Sequence, residues 1–286
     1  MTQGAKKFTS WIYQDEETTL PRPAPKVSSN VMDLFSLKGK VAVVTGSARG
    51  LGSYIAEAYA QAGADVIIWD YKDAPHISQN LIDSYGIKSK SYGADVSKAE
   101  IVKETIEDIE KTFGTIDIFV ANAGVAWETG SILNEENDDD KNWKRVIDVD
   151  FNGVYYCAKN VGKIFKKNKK GSFIVTGSMS GSIVNVPNFQ MPYNAAKAGA
   201  VHLAKSLAVE FAPFNARCNA VSPGYLDTGL SDFLPDELRA RWWGLIPMGR
   251  EGLPQELVGI YLYLASDAST YCTGSNMIVD GGFTCP

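Results

Sequence analysis

Along this chain, short apolar runs alternate with longer stretches in which apolar residues return every three or four positions. The short runs predict strands at residues 41–44, 65–70, 89–93, 116–121, 172–176, 216–221 and 277–279, and the longer ones predict helices over 51–62, 98–113, 138–165, 193–211 and 254–266. The first strand, Val-Ala-Val-Val, is apolar on both faces, as strands of a buried parallel sheet are. Alternation of this kind predicts an α/β chain with a doubly wound parallel sheet in a single domain over residues 37–286. Residues 1–36 are polar and punctuated by "PRPAP", and read as an N-terminal tail.

The turn after the first strand carries the first candidate chemistry. In "VAVVTGSARGLG", Gly46, Gly50 and Gly52 occupy a strand-to-helix turn. The first N–H groups of such a helix are unpaired and sit at the positive end of its dipole, and glycine lets an anion approach the backbone. A phosphate is the expected guest. Asp70 ends the second strand twenty residues beyond Gly50, where a dinucleotide fold places a carboxylate for the adenosine ribose hydroxyls. The fourth strand then runs into Asn122, Ala123 and Gly124, a passage small enough for a ligand to lie across it.

Tyr193 and Lys197 in "YNAAK" stand one helical turn apart on one face, so the ammonium stabilises the phenolate form and makes the phenol usable as an acid near neutral pH. Pro192 suits an early helical position and puts Tyr193 in the first turn. Fifteen residues earlier, "GSFIVTGSMSG" ends a strand with hydroxyls at Ser178 and Ser180.

Composition narrows the field of functions. A chain of 286 residues with 45% hydrophobic content buries a substantial core, and a net charge of -5 disfavours nucleic-acid partners. Cys157, Cys218, Cys272 and Cys285 form no CxxC pair, and His76 and His202 are the only histidines, so reduced thiols and no metal are expected. The early acidic residues Asp15, Glu16 and Glu17 fit neither a secretory signal nor a transit peptide. No apolar run reaches the roughly 18 residues of a membrane span, so a cytoplasmic protein without a membrane partner is expected. "NEENDDDK" and "KIFKKNKK" complement the dipole of the 138–165 helix, and Asp138, Asp139 and Asp140 read as caps rather than as a Ca²⁺ site.

Taken together, TGxxxGxG, Asn-Ala-Gly, Ser178, YxxxK and the "SPG" of Ser222, Pro223 and Gly224 resemble the short-chain dehydrogenase/reductases. The resemblance covers the chain from about Leu37 onward. "LFSLKGKVAVVTGS", "NGVYYCAKNVGKIFKKN" and "VDGGFTCP" look most like a yeast subgroup of sorbose reductases, xylulose and polyol dehydrogenases and stereoselective carbonyl reductases. It implies a Rossmann-type fold and hydride exchange between a nicotinamide cofactor and a ketone or secondary alcohol, a ketose, polyol or α-hydroxy ketone. It makes Tyr193 the proton donor, Ser178 (with Ser180 as alternative) the hydroxyl that holds the ketone oxygen, and Lys197 the residue that holds the nicotinamide ribose. It places Gly46, Ser47, Arg49, Gly50, Leu51, Gly52, Asp70, Asp95, Val96, Asn122, Ala123 and Gly124 along the cofactor, with Pro223, Gly224, Leu226 and Thr228. The family's usual Asn in "VNLxG" is here Asp150, with Asn152 two residues on, and either is a candidate for that role. The resemblance makes residues 230–250 a substrate-covering segment, with Phe233, Leu245, Met248, Trp242 and Trp243 in it and Trp127 as a further candidate wall. His202 reads as structural. A homotetramer paired through the fourth and fifth helices is implied.

For the cofactor, Asp70 argues for NAD(H), because a carboxylate placed for a ribose hydroxyl repels a 2′-phosphate. Arg49 and Lys72 argue for NADP(H) as the alternative. A non-catalytic dinucleotide-binding sensor or scaffold is the rival to an enzyme.

Overall fold

The computed structural model describes residues 22–228 and 236–285. Residues 1–21 of the expected tail, together with Leu230 and Phe233 of the expected substrate cover, lie outside the described residues. A short helix α1 (Val31–Leu34) leads to Leu37, which is fully buried. From there the chain alternates β1 (Val41–Thr45), α2 (Gly50–Gln61), β2 (Asp65–Asp70), α3 (Pro75–Tyr85), β3 (Ser89–Gly93), α4 (Ala99–Phe113) and β4 (Ile118–Ala121). It continues through α5 (Lys141–Ile147), α6 (Gly153–Asn168), β5 (Gly171–Thr176), α7 (Met191–Phe211), β6 (Ala216–Pro223), α8 (Asp236–Leu245), α9 (Val258–Ala265) and β7 (Asn276–Val279).

All seven strands are parallel, in the order β3-β2-β1-β4-β5-β6-β7. Strand alternation divides the core into two layers. Val41, Val43, Ile67, Trp69, Phe119 and Phe173 face α4, α6 and α7, whereas Ala42, Val44, Val66, Ile68, Val120 and Ile174 face α2, α3 and α9. The stacked rings of Phe119 and Phe173, with centroids 5.4 Å apart, fill the centre of the first layer. The strand order reverses direction between β1 and β4, and such a switch point opens a crevice at the carboxyl ends of the strands.

The sheet follows the hydrophobic pattern closely; the helices add α1, α3 and α8, which the pattern does not predict, and differ over 138–165. Residues 71–88, left unassigned by periodicity, contain α3, which starts on Pro75 and stops at the left-handed Gly86. The helix expected over 138–165 runs continuously over residues 141–168, and a π-helical turn at Asp148–Asn152 divides it into α5 and α6. Asp140 is the N-cap of α5 but its side chain makes no capping bond; Asp139, one residue earlier, accepts the Lys141 N–H at 3.0 Å.

Candidate active site

After β1 the backbone passes through Gly46 and Gly50 at φ +65° and +55°, conformations that favour glycine. Gly52 is small for a different reason: a Cβ there would collide with the Gly46 carbonyl oxygen and lie 2.7 Å from Asn122 Nδ2. Asn122 braces this turn, its amide donating to the carbonyls of Thr45 at 2.9 Å and Gly46 at 3.2 Å. No side chain caps α2, whose N-cap is Arg49, so its first N–H groups are left without a side-chain partner, as an anion at a helix N-terminus would require.

A cavity of about 1000 Å³ opens from this turn along the strand ends. Gly46, Arg49, Gly50, Leu51 and Gly52 line it together with Asp70, Asp95 and Val96 from the ends of β2 and β3. Asn122, Ala123 and Gly124 after β4, and Pro223, Gly224, Leu226 and Thr228 at the end of β6, complete the elongated part. Ser178, Tyr193, Lys197, Trp127 and Trp242 share the same cavity. A dinucleotide fits what the chain provides here: an uncapped helix end, a backbone cradle that a Cβ would fill, and a crevice continuous with a hydroxyl, a phenol and an ammonium.

Ser178 follows β5 in extended backbone and its Oγ accepts the Ser180 N–H at 3.1 Å, which leaves its own proton to donate. Tyr193 stands in the first turn of α7 behind Pro192. Lys197, one turn on, is 4% exposed, and its Nζ donates to the Thr176 carbonyl at 3.1 Å and lies 5.5 Å from the Tyr193 ring centroid. Asp150 reaches the same ammonium from the π-helical turn, its Oδ1 3.6 Å from Lys197 Nζ and 3.0 Å from the donating Val125 N–H. Its Oδ2 has no hydrogen-bond partner. Gly124 passes close over this pair, since a Cβ there would lie 3.3 Å from Lys197 Nζ.

Burial pushes the Asp150 carboxyl up to about 6, against the pull of Lys197, the Val125 N–H and Arg145. For Lys197, burial pulls downward, but the charges of Asp150 and Tyr193 outweigh it and the ammonium is held above its usual range. A hydrogen-bond donor, a phenol and a permanently charged ammonium therefore meet in one half-enclosed place, which is what protonating a carbonyl oxygen requires.

Several expected site residues fall elsewhere. Ser47 is fully buried, its Oγ bonded to the Val44 carbonyl at 2.6 Å and to the Trp69 N–H at 3.0 Å, so it locks β1 to β2 and does not line the cavity. Asn152 spends its amide on Asp148 Oδ1 at 2.8 Å, and Asp150 rather than Asn152 meets the lysine. Trp243 points to solvent at 40% exposure, whereas its neighbour Trp242 is buried and stacks on Tyr225 with centroids 4.1 Å apart. His202 is exposed on α7. Tyr225 and Gln190 also line the cavity; Tyr225 stands directly after "SPG", a signal in the sequence, whereas no motif marks Gln190.

The sequence profile described as "Enoyl-(Acyl carrier protein) reductase" matches residues 46–284. A sorbose reductase of Candida albicans is 60% identical over 93% of this chain and 95% of its own length. An NADP-dependent mannitol dehydrogenase of Hypocrea jecorina is 45% identical over 93% of this chain and 99% of its own. The crystal structure of an NADPH-dependent 3-quinuclidinone reductase from Rhodotorula rubra superposes with a TM-score of 0.88 at 40% identity, covering 93% of this chain and 99% of that one. These relatives correct the expected NAD(H) preference, since those whose cofactor is named use NADP(H). The physical reason lies in Asp70, whose two oxygens accept the N–H groups of Ala48 at 3.0 Å and Tyr71 at 2.8 Å. It braces its own turn, while Arg49 and Lys72 stand exposed beside it. The rival reading as a sensor or scaffold finds no support among relatives that are reductases and dehydrogenases. This chain belongs to the short-chain dehydrogenase/reductase family and is an oxidoreductase.

Proposed function

We propose that this protein interconverts a ketose and its polyol with NADP(H). The convergence of Ser178, Tyr193 and Lys197 at the end of the glycine-lined cavity carries the reading, and the sorbose reductase and mannitol dehydrogenase relatives support the substrate class. A nicotinamide dinucleotide, when bound, supplies or accepts the hydride. The chain's own residues do the rest. The Ser178 hydroxyl donates to the ketone oxygen and fixes its position. The Tyr193 hydroxyl gives that oxygen its proton, and the Lys197 ammonium stabilises the phenolate left behind and holds the ribose. The uncapped end of α2 receives the pyrophosphate, and Arg49 and Lys72 receive the 2′-phosphate.

The test is a panel of L-sorbose, D-fructose, L-xylulose and an aryl ketone, each assayed with NADPH and NADH. Reduction of at least one ketose to its polyol, with kcat/KM higher for NADPH, is expected. Arg49→Ala is expected to lower the NADPH value by about tenfold and leave the NADH value near its starting level. No turnover of any ketose, or a wild type that favours NADH, overturns the reading.

Asp150 acts through Lys197 as a positioning residue. Ionised, it holds the ammonium; as pH falls through about 6 it takes up a proton and the ammonium loses its counter-charge. The wild-type kcat for reduction is therefore expected to decline on the acid side of that value. Asp150→Asn should lack this inflection between pH 5 and 7. An acid limb unchanged in the asparagine variant would remove Asp150 from the account.

Assembly and location follow the same reading. Tyr155 on α6 and Val209 on α7 stand exposed, which supports pairing of those helices in a homotetramer. Cys157 and Cys218 are free thiols in the core, which supports a reducing, cytoplasmic setting. Among the described residues no helix is long and apolar enough to cross a membrane.

A further inference from the structure

The proton-transfer group leaves unexplained a cluster of neutral polar side chains beside it. Gln190 is the N-cap of α7 yet makes no capping bond. Its Nε2 instead lies 3.2 Å from Ser180 Oγ, 3.0 Å from Asn185 Oδ1 and 3.0 Å from Asn194 Oδ1. Two amide hydrogens thus face three acceptors, and one acceptor is always left unserved. Asn185, 3% exposed, passes the chain on by donating its Nδ2 to Tyr225 OH at 3.1 Å.

This arrangement has spare capacity on its cavity side. Ser180 and Tyr225 each accept a hydrogen bond from an amide and donate none to the described residues. Gln190 Oε1 accepts none. Burial holds the Tyr225 phenol above its usual range, so it stays a neutral donor. Ser180, Gln190 and Tyr225 all line the cavity that holds Ser178 and Tyr193. Ser180 is two residues from Ser178 and is tied to it through its N–H, and Gln190 is three residues before Tyr193. The Tyr225 ring is fixed by its stack on Trp242. A buried polar network is costly unless its groups are matched. Two unused hydroxyl protons and an unused carbonyl, pre-positioned by Asn185, match a ligand that offers several hydroxyl groups and no charge.

We propose that Ser180, Gln190 and Tyr225, braced by Asn185, form a subsite that reads the hydroxyl groups flanking the reacting carbonyl, with Gln190 as the specificity-determining residue. The subsite rests on the ketose reading and deepens it: it selects polyhydroxylated ketones over ketones of the same length that lack hydroxyls. A site built to hydrogen-bond a substrate hydroxyl discriminates strongly, because its own polar groups are left unpaired by the analogue.

The experiment compares wild type, Gln190→Leu and Tyr225→Phe on the best ketose of the panel and on 2-hexanone, with cofactor Kd measured alongside. The ketose KM of Gln190→Leu is expected to rise by about tenfold or more, with a smaller change in kcat, and the ketose kcat/KM to fall at least that much further than the 2-hexanone value. Tyr225→Phe, which loses one hydroxyl and keeps the ring stack, is expected to shift the same ratio in the same direction. Equal losses on both substrates, or an unchanged ketose KM in both variants, overturn the subsite and leave the ketose activity standing. A wild type that reduces 2-hexanone and no ketose overturns both.

Discussion

Tyr193→Phe is expected to lower kcat by about 10²–10⁴-fold while the protein folds and binds cofactor as before. Only an oxygen is removed, and the ring keeps its place in the small cluster formed by Trp127, Val146 and Ala196. The loss should fall on kcat rather than KM, because the missing proton is needed in the transition state and not for binding. Steady-state kinetics with a ketose, an unfolding curve and a cofactor titration check the three statements. A variant that keeps more than about a tenth of wild-type kcat overturns the role of Tyr193 as the acid.

Lys197→Met should do broader damage. The lysine is buried against Asp150, and removing one member of a buried pair leaves the other uncompensated, at a cost of about 3–5 kcal/mol. Turnover should fall at least as far as in Tyr193→Phe, and cofactor affinity should weaken as well. The stability loss carries a pH signature. Burial already raises the Asp150 carboxyl to about 6, and without the ammonium only the Val125 N–H and the charge of Arg145 oppose that rise. The folded state then binds the proton more tightly than the unfolded chain, so the variant regains stability as pH falls from 8 toward 5. Asp150→Asn combined with Lys197→Met should flatten that dependence. Urea unfolding of both variants at pH 5 and pH 8 tests it, and an unchanged cofactor Kd together with pH-independent stability would contradict the assignment.

The parts legible in the sequence are those that depend on local pattern. Strands such as 65–70 announced themselves because a parallel strand covered on both faces must be apolar throughout, and β2 spans those residues. Tyr193 and Lys197 were legible because helical spacing alone puts them on one face, and Pro192 fixes where that helix begins. Ser47 and Trp243 were misplaced because their motifs say which residues are near the ligand but not which way each side chain points. Trp242 and Trp243 are neighbours a helical step apart, and one is in the core while the other meets solvent. Gln190 escaped notice because its significance lies in Ser180 and Asn185, ten and five residues earlier in an irregular loop, where no periodicity applies. Asp70 misled for the same reason: its charge was visible, but not that its oxygens were already engaged by Ala48 and Tyr71.

The π-helical turn at Asp148–Asn152 makes the length of this helix a functional quantity. A π turn holds one residue more than the α turn it replaces. Deleting a single residue between 148 and 152 would restore a regular helix and remove no contact of α6 with the sheet. It would also rotate everything upstream by about 100° relative to everything downstream. Val146, now in the cluster beside Tyr193, would swing away from it, and a deletion after Asp150 would also turn its carboxylate away from Lys197. Substitutions along α5 and α6 should therefore be tolerated far better than length changes between them. The spacing from Val146 to Gly153 behaves as a reading frame for the site.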